Sequence, residues 1–169
     1  MKSPIGIEFV DDCLTVLKST LTSVAPLEGC ALLIGKQKKS GLLKAEDAIQ
    51  INMIWPCCNI WKSNIFGLQE SPKKQNSVLK EDLSRQNRFA IDPREQLIAQ
   101  RWARERNWQI LGSAHSHPKG EPIPSSIDLY WNFSPGIMVI IGQFGGIRAW
   151  WMSEDKTFHP KEVAIWEQK

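Results

Sequence analysis

Two rhythms of apolar positions divide the first third of the chain. From about Ile7 to Val24 the apolar residues Phe9, Cys13, Val16, Leu17, Leu21 and Val24 recur at steps of three and four. That spacing predicts an amphipathic helix, which stops before Pro26. Gly29 to Gly35 is instead a short unbroken apolar run between turn residues, which predicts a buried strand. Lys36 to Gly41 reads as a polar turn, and Leu42 to Trp55 as one or two further strands ended by Pro56.

The second half alternates in the same way. Asp92, Pro93 and Glu95 are start signals for a helix at its N-cap, first and third positions. Ile98 with Trp102, and Ala99 with Ala103, are i,i+4 pairs on that helix, which stops near Asn107. Trp108 to Ala114 is a strand, Ser125 to about Phe133 a short helix, and Ile137–Ile141 and Ile147–Met152 two strands joined by the turn-prone Gln143–Gly146. A last short strand is expected at Glu162–Trp166. Trp150 and Trp151 must point to opposite faces of their strand, so one is expected in the core and the other exposed or at an interface. The fold class this predicts is mixed α/β (α+β), a curved mixed β-sheet flanked by helices, with no internal repeat.

Composition narrows the function classes. At 169 residues the chain is expected to be one domain, 1–169, long enough for a real core. Hydrophobic content of 42% and charged content of 23% are ordinary globular values. A net charge of +3 is too small to argue for nucleic acid. No apolar run approaches the roughly eighteen residues of a membrane span. Acidic residues stand in the N-terminal stretch where a signal peptide needs an apolar core. Together these point to a cytoplasmic protein whose four cysteines, Cys13, Cys30, Cys57 and Cys58, are reduced and serve as small apolar residues, with Cys30 the most buried. Residues 59–88 are rich in Lys, Ser, Asn and Gln and hold six basic residues against three acidic. They read as a basic, flexible insertion at about 60–88; the bland account is a solvated loop, the sharper one a flap that helps hold an acidic protein substrate.

The chemistry concentrates in Gly112–Asp128, GSAHSHPKGEPIPSSID. His115 and His117 are two apart on a predicted strand, so both imidazoles present to one side and Ser116 to the other. Asp128 follows a Pro-rich turn. Two nitrogens and one carboxylate oxygen are the three protein ligands of a catalytic zinc site with an open fourth position. Plainer readings exist for each part: Ser125-x-x-Asp128 fits a helix capping box, and His-Pro is an ordinary loop entry. Glu28, beside an apolar strand, is by default a surface residue at the strand's edge. His159, the third histidine, sits in a polar tail and reads as a surface residue without a role.

His115-Ser116-His117-Pro118, seven residues between His117 and Ser125, and then Ser125-x-x-Asp128 resemble the JAMM motif of the MPN metallopeptidases. The segment Pro26-Leu27-Glu28-Gly29-Cys30 resembles that family's upstream glutamate segment, with Ala31 where a glycine is usual. Phe89-x-Ile91-Asp92-Pro93 resembles its lead-in to the second helix. The resemblance runs from Glu28 to about Trp151. It implies the MPN fold, often compared with cytidine deaminases, and one Zn²⁺ per chain held by His115, His117 and Asp128. It implies a proton-carrying role for Glu28 and an oxyanion-directed hydroxyl at Ser125. It further implies hydrolysis of an amide or isopeptide bond after the C-terminal Gly-Gly of a ubiquitin-like or sulfur-carrier protein, as in the stand-alone prokaryotic members. The alternatives are a non-catalytic MPN scaffold, which would typically have lost metal ligands, and a RadC-like protein tied to DNA repair. The latter lacks the upstream glutamate segment and would call for a basic helix with interleaved aromatics. Neither nucleic acid nor membrane is an expected partner, and a homo-oligomer stays open.

Overall fold

Strand pairing closes the sheet on itself. The computed structural model describes residues 3–38, 48–62, 84–132, 134–153 and 159–168. Among them the strands are β1 (Gly6–Val10), β2 (Cys30–Lys38), β3 (Ala48–Cys57), β4 (Gln109–Ser116), β5 (Gly136–Ile141), β6 (Ile147–Met152) and β7 (Lys161–Gln168). The helices are α1 (Cys13–Thr22), α2 (Pro93–Arg104) and α3 (Ser126–Trp131). The sheet runs β1-β3-β2-β4-β5-β6-β7 and closes as a barrel through the parallel β1–β7 pair. The β1–β3 and β4–β5 pairs are also parallel, and the rest are antiparallel. A mixed α/β fold with a curved sheet and helices on it is thus what the chain forms.

Alternation along the strands sorts the core into two faces. The inner face gathers Ile7, Phe9, Leu33, Ile51, Val139 and Trp151 around Leu14, Leu17 and Leu21 of α1. The opposite face of β2–β3–β4 carries Leu32, Ile34, Trp55 and Ile110, covered by Ala99, Trp102 and Ala103 of α2. On β5–β6 the same outer face carries Met138, Ile140, Trp150 and Met152, against Leu129 of α3. Both tryptophans of β6 are therefore buried, not one: Trp150 lies under the loop after His117, and its indole N–H donates to the carbonyl of Pro122 at 3.0 Å.

Other expectations shift for identifiable reasons. The helix expected from Ile7 begins only at Cys13, because Ile7 and Phe9 form an inward-facing pair on β1, hydrogen-bonded between β3 and β7. Asp11, with φ 50°, makes the break between strand and helix. The polar turn expected from Lys36 continues β2 as far as Lys38. Pro56 lies within β3 instead of ending it. The β1–β3 pairing covers Ile49–Ile51, so at Pro56 the strand has a sheet partner on one side, where a missing N–H is tolerated. The expected helix end near Asn107 is sharper: α2 stops at Arg104, and Asn107, with φ 55°, turns the chain into β4. The start signals at Asp92 and Pro93 are used as expected, the Asp92 carboxylate accepting from the Arg94 N–H at 2.8 Å. The hairpin of β5 and β6 and the final strand are present. The end of the expected polar turn (39–41), the start of the expected strand from Leu42 (42–47) and the centre of the expected basic insertion (63–83) lie outside the described residues.

Close approach of β4 to β5 requires glycine at 112, where an added Cβ would stand 1.8 Å from the carbonyl oxygen of Ile137. Gly112→Ala is expected to lower the unfolding free energy by about 3 kcal/mol in urea titration, since backbone has to move. Gly146→Ala, whose Cβ meets nothing nearer than 3.9 Å, is the control and should stay within about 0.5 kcal/mol.

Candidate metal centre

Strand register brings the distant parts of the site together. β2 and β4 pair antiparallel with Cys30 opposite His115, so the segment entering β2 arrives beside the end of β4. His117 continues the ladder, its N–H donating to the carbonyl of Ile141 at 2.8 Å. The following loop is fixed to the β5–β6 turn by the Gln143 N–H, which donates to the carbonyl of Gly120 at 2.8 Å. It then delivers Ser125 as the N-cap of α3, with Asp128 at the third helical position.

The capping box read from the sequence is formed in full. The Asp128 N–H donates to Ser125 Oγ at 3.2 Å, and the Ser125 N–H donates to Asp128 Oδ2 at 2.6 Å. A short helix end thus locks the carboxylate in one orientation, aimed at both imidazoles. His115 Nε2 and His117 Nε2 are 2.9 Å apart, and they lie 3.5 Å and 3.7 Å from the Asp128 oxygens. Three donor atoms, one from each residue, fall within 4.8 Å of one another. Two nitrogens bound tetrahedrally to zinc at about 2.05 Å would stand about 3.3 Å apart. The two histidine nitrogens stand closer than that, and the nitrogen–oxygen distances, each to a different Asp128 oxygen, are longer, so the donor set is compatible with a metal ion.

The two histidines are held differently. His117 Nδ1 lies 2.9 Å from the carbonyl of Glu121, which assigns the proton to Nδ1 and leaves the Nε2 lone pair facing inward. His115 is fully buried, and among the described residues its Nδ1 has no hydrogen-bond partner. Its ring is instead stacked on Phe89, with centroids 4.5 Å apart and planes 23° from parallel. Burial lowers the His115 pKa, outweighing the attraction of Asp128, and so favours the neutral imidazole that a cation needs. For His117, burial also works downward, but bonds to Asp128 and the Glu121 carbonyl outweigh it and leave the pKa raised. Asp128 is likewise pushed upward by burial, yet the two imidazoles and Ser125 hold its carboxyl well below the usual carboxylate range.

Glu28 is buried at 5% exposure, so it is not the surface residue that its place beside a strand suggests by default. It lines the same cavity, of about 660 Å³, as His117, Ser125 and Asp128. Burial raises its carboxyl pKa to about 7; the nearby Asp128 adds to the rise, and His117 and Arg88 oppose it. Ser116, between the two histidines, faces the other way as expected and makes the link. Its Oγ accepts from the Gly29 N–H at 2.9 Å and donates to the carbonyl of Leu21 at 3.1 Å, while its N–H donates to the carbonyl of Gly29 at 3.1 Å. Gly29 is confined to glycine by the end of α1, since a Cβ there would lie 2.5 Å from the Leu21 carbonyl oxygen. Sequence reasoning placed Glu28, His115, His117, Ser125 and Asp128 but gave Phe89 and Ser116 no part. The stacked ring and the bridging hydroxyl are consequences of strand register, which no local spacing reveals. His159 is exposed, as expected, and Cys30 is buried while Cys58 is exposed.

The profile of the family described as prokaryotic homologs of the JAB domain matches residues 12–153. A desampylase from Pyrococcus furiosus is 33% identical over 101 residues, which takes in 54% of this chain and 70% of that protein. The solution structure of a Desulfitobacterium hafniense protein superposes with a TM-score of 0.70 at 21% identity, covering 96% of this chain and 93% of that one. A second solution structure, from Salinibacter ruber, gives a TM-score of 0.56 at 21% identity, covering 94% and 90%.

The Glu28 shift has a sign that can be measured in chelator-treated protein. A carboxyl whose pKa is raised by folding supports the fold fully below the ordinary value of 4.5 and withdraws that support as pH rises through about 7. Glu28→Gln cannot ionise, so it should melt with the wild type at about pH 4 and above it at about pH 8. Equal melting temperatures at the higher pH would show that the carboxyl is not desolvated.

Proposed function

The chain belongs to the family of prokaryotic homologs of the JAB domain, within the JAMM/MPN group, and from that premise we propose that it is a zinc-dependent hydrolase of amide or isopeptide bonds. The bond is the one after the C-terminal Gly-Gly of a ubiquitin-like or sulfur-carrier protein, and the whole chain acts as one catalytic domain. The observation that carries this reading is the convergence of three donors, His115, His117 and Asp128, two of which line the same cavity as the buried Glu28 carboxyl. The Pyrococcus relative, by its name, removes a protein modifier, which supports the substrate class. Among the described residues no helix is long and apolar enough to cross a membrane, and the cytosol is the compartment we propose.

His115 and His117, through Nε2, and Asp128, through a carboxylate oxygen, would hold the zinc ion. When bound, zinc supplies Lewis acidity and makes water a nucleophile near neutral pH. The remaining steps fall to the chain. The Glu28 carboxyl, with a pKa of about 7, can take a proton at one oxygen and return it to the departing amine nitrogen within one turnover. Its own burial is what matches it to the task, since an ordinary carboxylate is too weak a base near neutrality. Ser125 Oγ uses its lone pair on the Asp128 N–H, so its O–H remains to donate to the carbonyl oxygen of the scissile bond as charge gathers there. Asp128 brings the one formal negative charge of the donor set, which leaves a divalent cation net positive. Phe89, Ile127, Trp131 and Met138 give the cavity apolar walls, which suit an extended tail whose glycines carry no side chains to collide with them.

Elemental analysis of protein purified without chelator should find about one zinc per chain, and His117→Ala should lose it. With a ubiquitin-fold protein linked through Gly-Gly to a reporter lysine as substrate, Glu28→Gln should keep the zinc and lose about a thousandfold in kcat. Ser125→Ala should lose about a hundredfold. Activity that survives Glu28→Ala, or the absence of zinc, would sink the reading.

A further inference from the structure

Among the described residues no side chain hydrogen-bonds the Glu28 carboxyl, and the part of this residue that its neighbours fix by hydrogen bonds is its backbone. That backbone is gripped by a residue to which neither the motif nor the family resemblance points. Asn59 follows β3 and stands where three segments meet: the entry to β2, the start of the basic insertion and its return. Its side-chain nitrogen donates to the carbonyl of Glu28 at 3.0 Å and to the carbonyl of Arg88 at 2.9 Å. Its side-chain oxygen accepts from the Trp61 N–H at 3.0 Å and from the Ala90 N–H at 3.2 Å. The amide thus uses both donors and both acceptor positions. The reversed amide would be wrong at all four contacts, so the orientation is determined by the surroundings.

Neighbouring bonds complete the junction. The Glu28 N–H donates to the carbonyl of Arg85 at 2.7 Å, and the Ile60 N–H to the carbonyl of Ala90 at 3.0 Å. The Arg85 guanidinium donates to the carbonyl of Trp61 at 3.1 Å. One asparagine therefore ties the peptide of Glu28 to the segment carrying Phe89, the ring stacked on His115.

We propose that Asn59 is a positioning residue: its amide sets the peptide of Glu28, and with it the distance of the Glu28 carboxyl from the reacting bond. This rests on the reading of Glu28 as the proton carrier. A purely structural asparagine would only close the turn at Trp61, a task done by its oxygen. The work on Glu28 is done by its nitrogen. Asn59→Asp separates the two, since it keeps both acceptor contacts and has no N–H for the carbonyls of Glu28 and Arg88. Asn59→Ala removes all four contacts without adding charge.

The experiment uses the full zinc-loaded chain. Amide hydrogen exchange at Gly29, whose N–H shares the peptide that Asn59 holds through the Glu28 carbonyl, should quicken about tenfold in Asn59→Asp, while exchange at Gln143 stays at the wild-type rate. With the Gly-Gly reporter substrate, both variants should bind zinc as the wild type does and lose about thirtyfold to a hundredfold in kcat with KM little changed. Added to Glu28→Gln, Asn59→Asp should cause no further loss, because the group it positions is already gone. Unchanged exchange at Gly29, wild-type kcat in Asn59→Asp, or an equal further loss on top of Glu28→Gln overturns the proposal. If Glu28→Gln itself cleaves at the wild-type rate, the functional reading fails instead. The exchange measurement, which needs no substrate, still decides whether Asn59 holds the Glu28 peptide.

Discussion

The structure depends on one alignment, Cys30 opposite His115 in the antiparallel pairing of β2 and β4. Side chains alternate along a strand, so a slip of one residue would turn both histidines into the sheet and send Ser116 outward. Several contacts oppose that slip together. Leu33 and Leu32 must face α1 and α2 respectively, Gly112 admits the close approach of β5, and Ser116 bridges the end of α1 to Gly29. The same hydroxyl that pins the register joins Glu28 to the histidine strand. Packing and site geometry are therefore one constraint, and neither can be changed without the other.

Charge is managed by placement instead of by solvent. A carboxylate and two imidazoles gathered in a mostly enclosed position carry a desolvation cost, offset here by mutual attraction and by the Ser125 N–H. Glu28 shares the enclosure, but there burial outweighs the pull of His117 and Arg88, so it holds its proton to higher pH. Two acidic side chains facing one cavity thus end far apart in proton affinity. Asp128 stays ionised, and Glu28 exchanges its proton near neutrality.

Much of this could be read before any coordinates, and the limits of that reading are physical. His115, His117 and Asp128 are linked by short local spacing, a strand step and a helix cap, so their convergence was legible. Glu28 was legible through its motif likeness, and its burial only through the fold. β1 was missed because Ile7 and Phe9 are too few to separate a period of two from a helical period, and two partner strands distant in sequence decide the matter. The burial of both Trp150 and Trp151 depends on what covers each face of β6, which alternation alone does not state. Asn59, Phe89 and Ser116 act through hydrogen bonds and ring contacts between segments far apart in sequence. Their residue types are ordinary for a loop or a core, and no spacing distinguishes them.

The stacking of Phe89 on His115 has an electronic consequence. An imidazole whose far nitrogen gives its hydrogen to a carbonyl becomes the richer donor at its near nitrogen, and His117 has such a partner in Glu121. Among the described residues His115 has instead an aromatic face against it, which steadies the plane of the ring without feeding density into it. On the proposed reading, a zinc ion here would sit between a strong and a weak nitrogen. It would remain more electron-poor than two equally backed histidines would leave it, and so polarise a carbonyl more strongly at the cost of a looser grip on the ion.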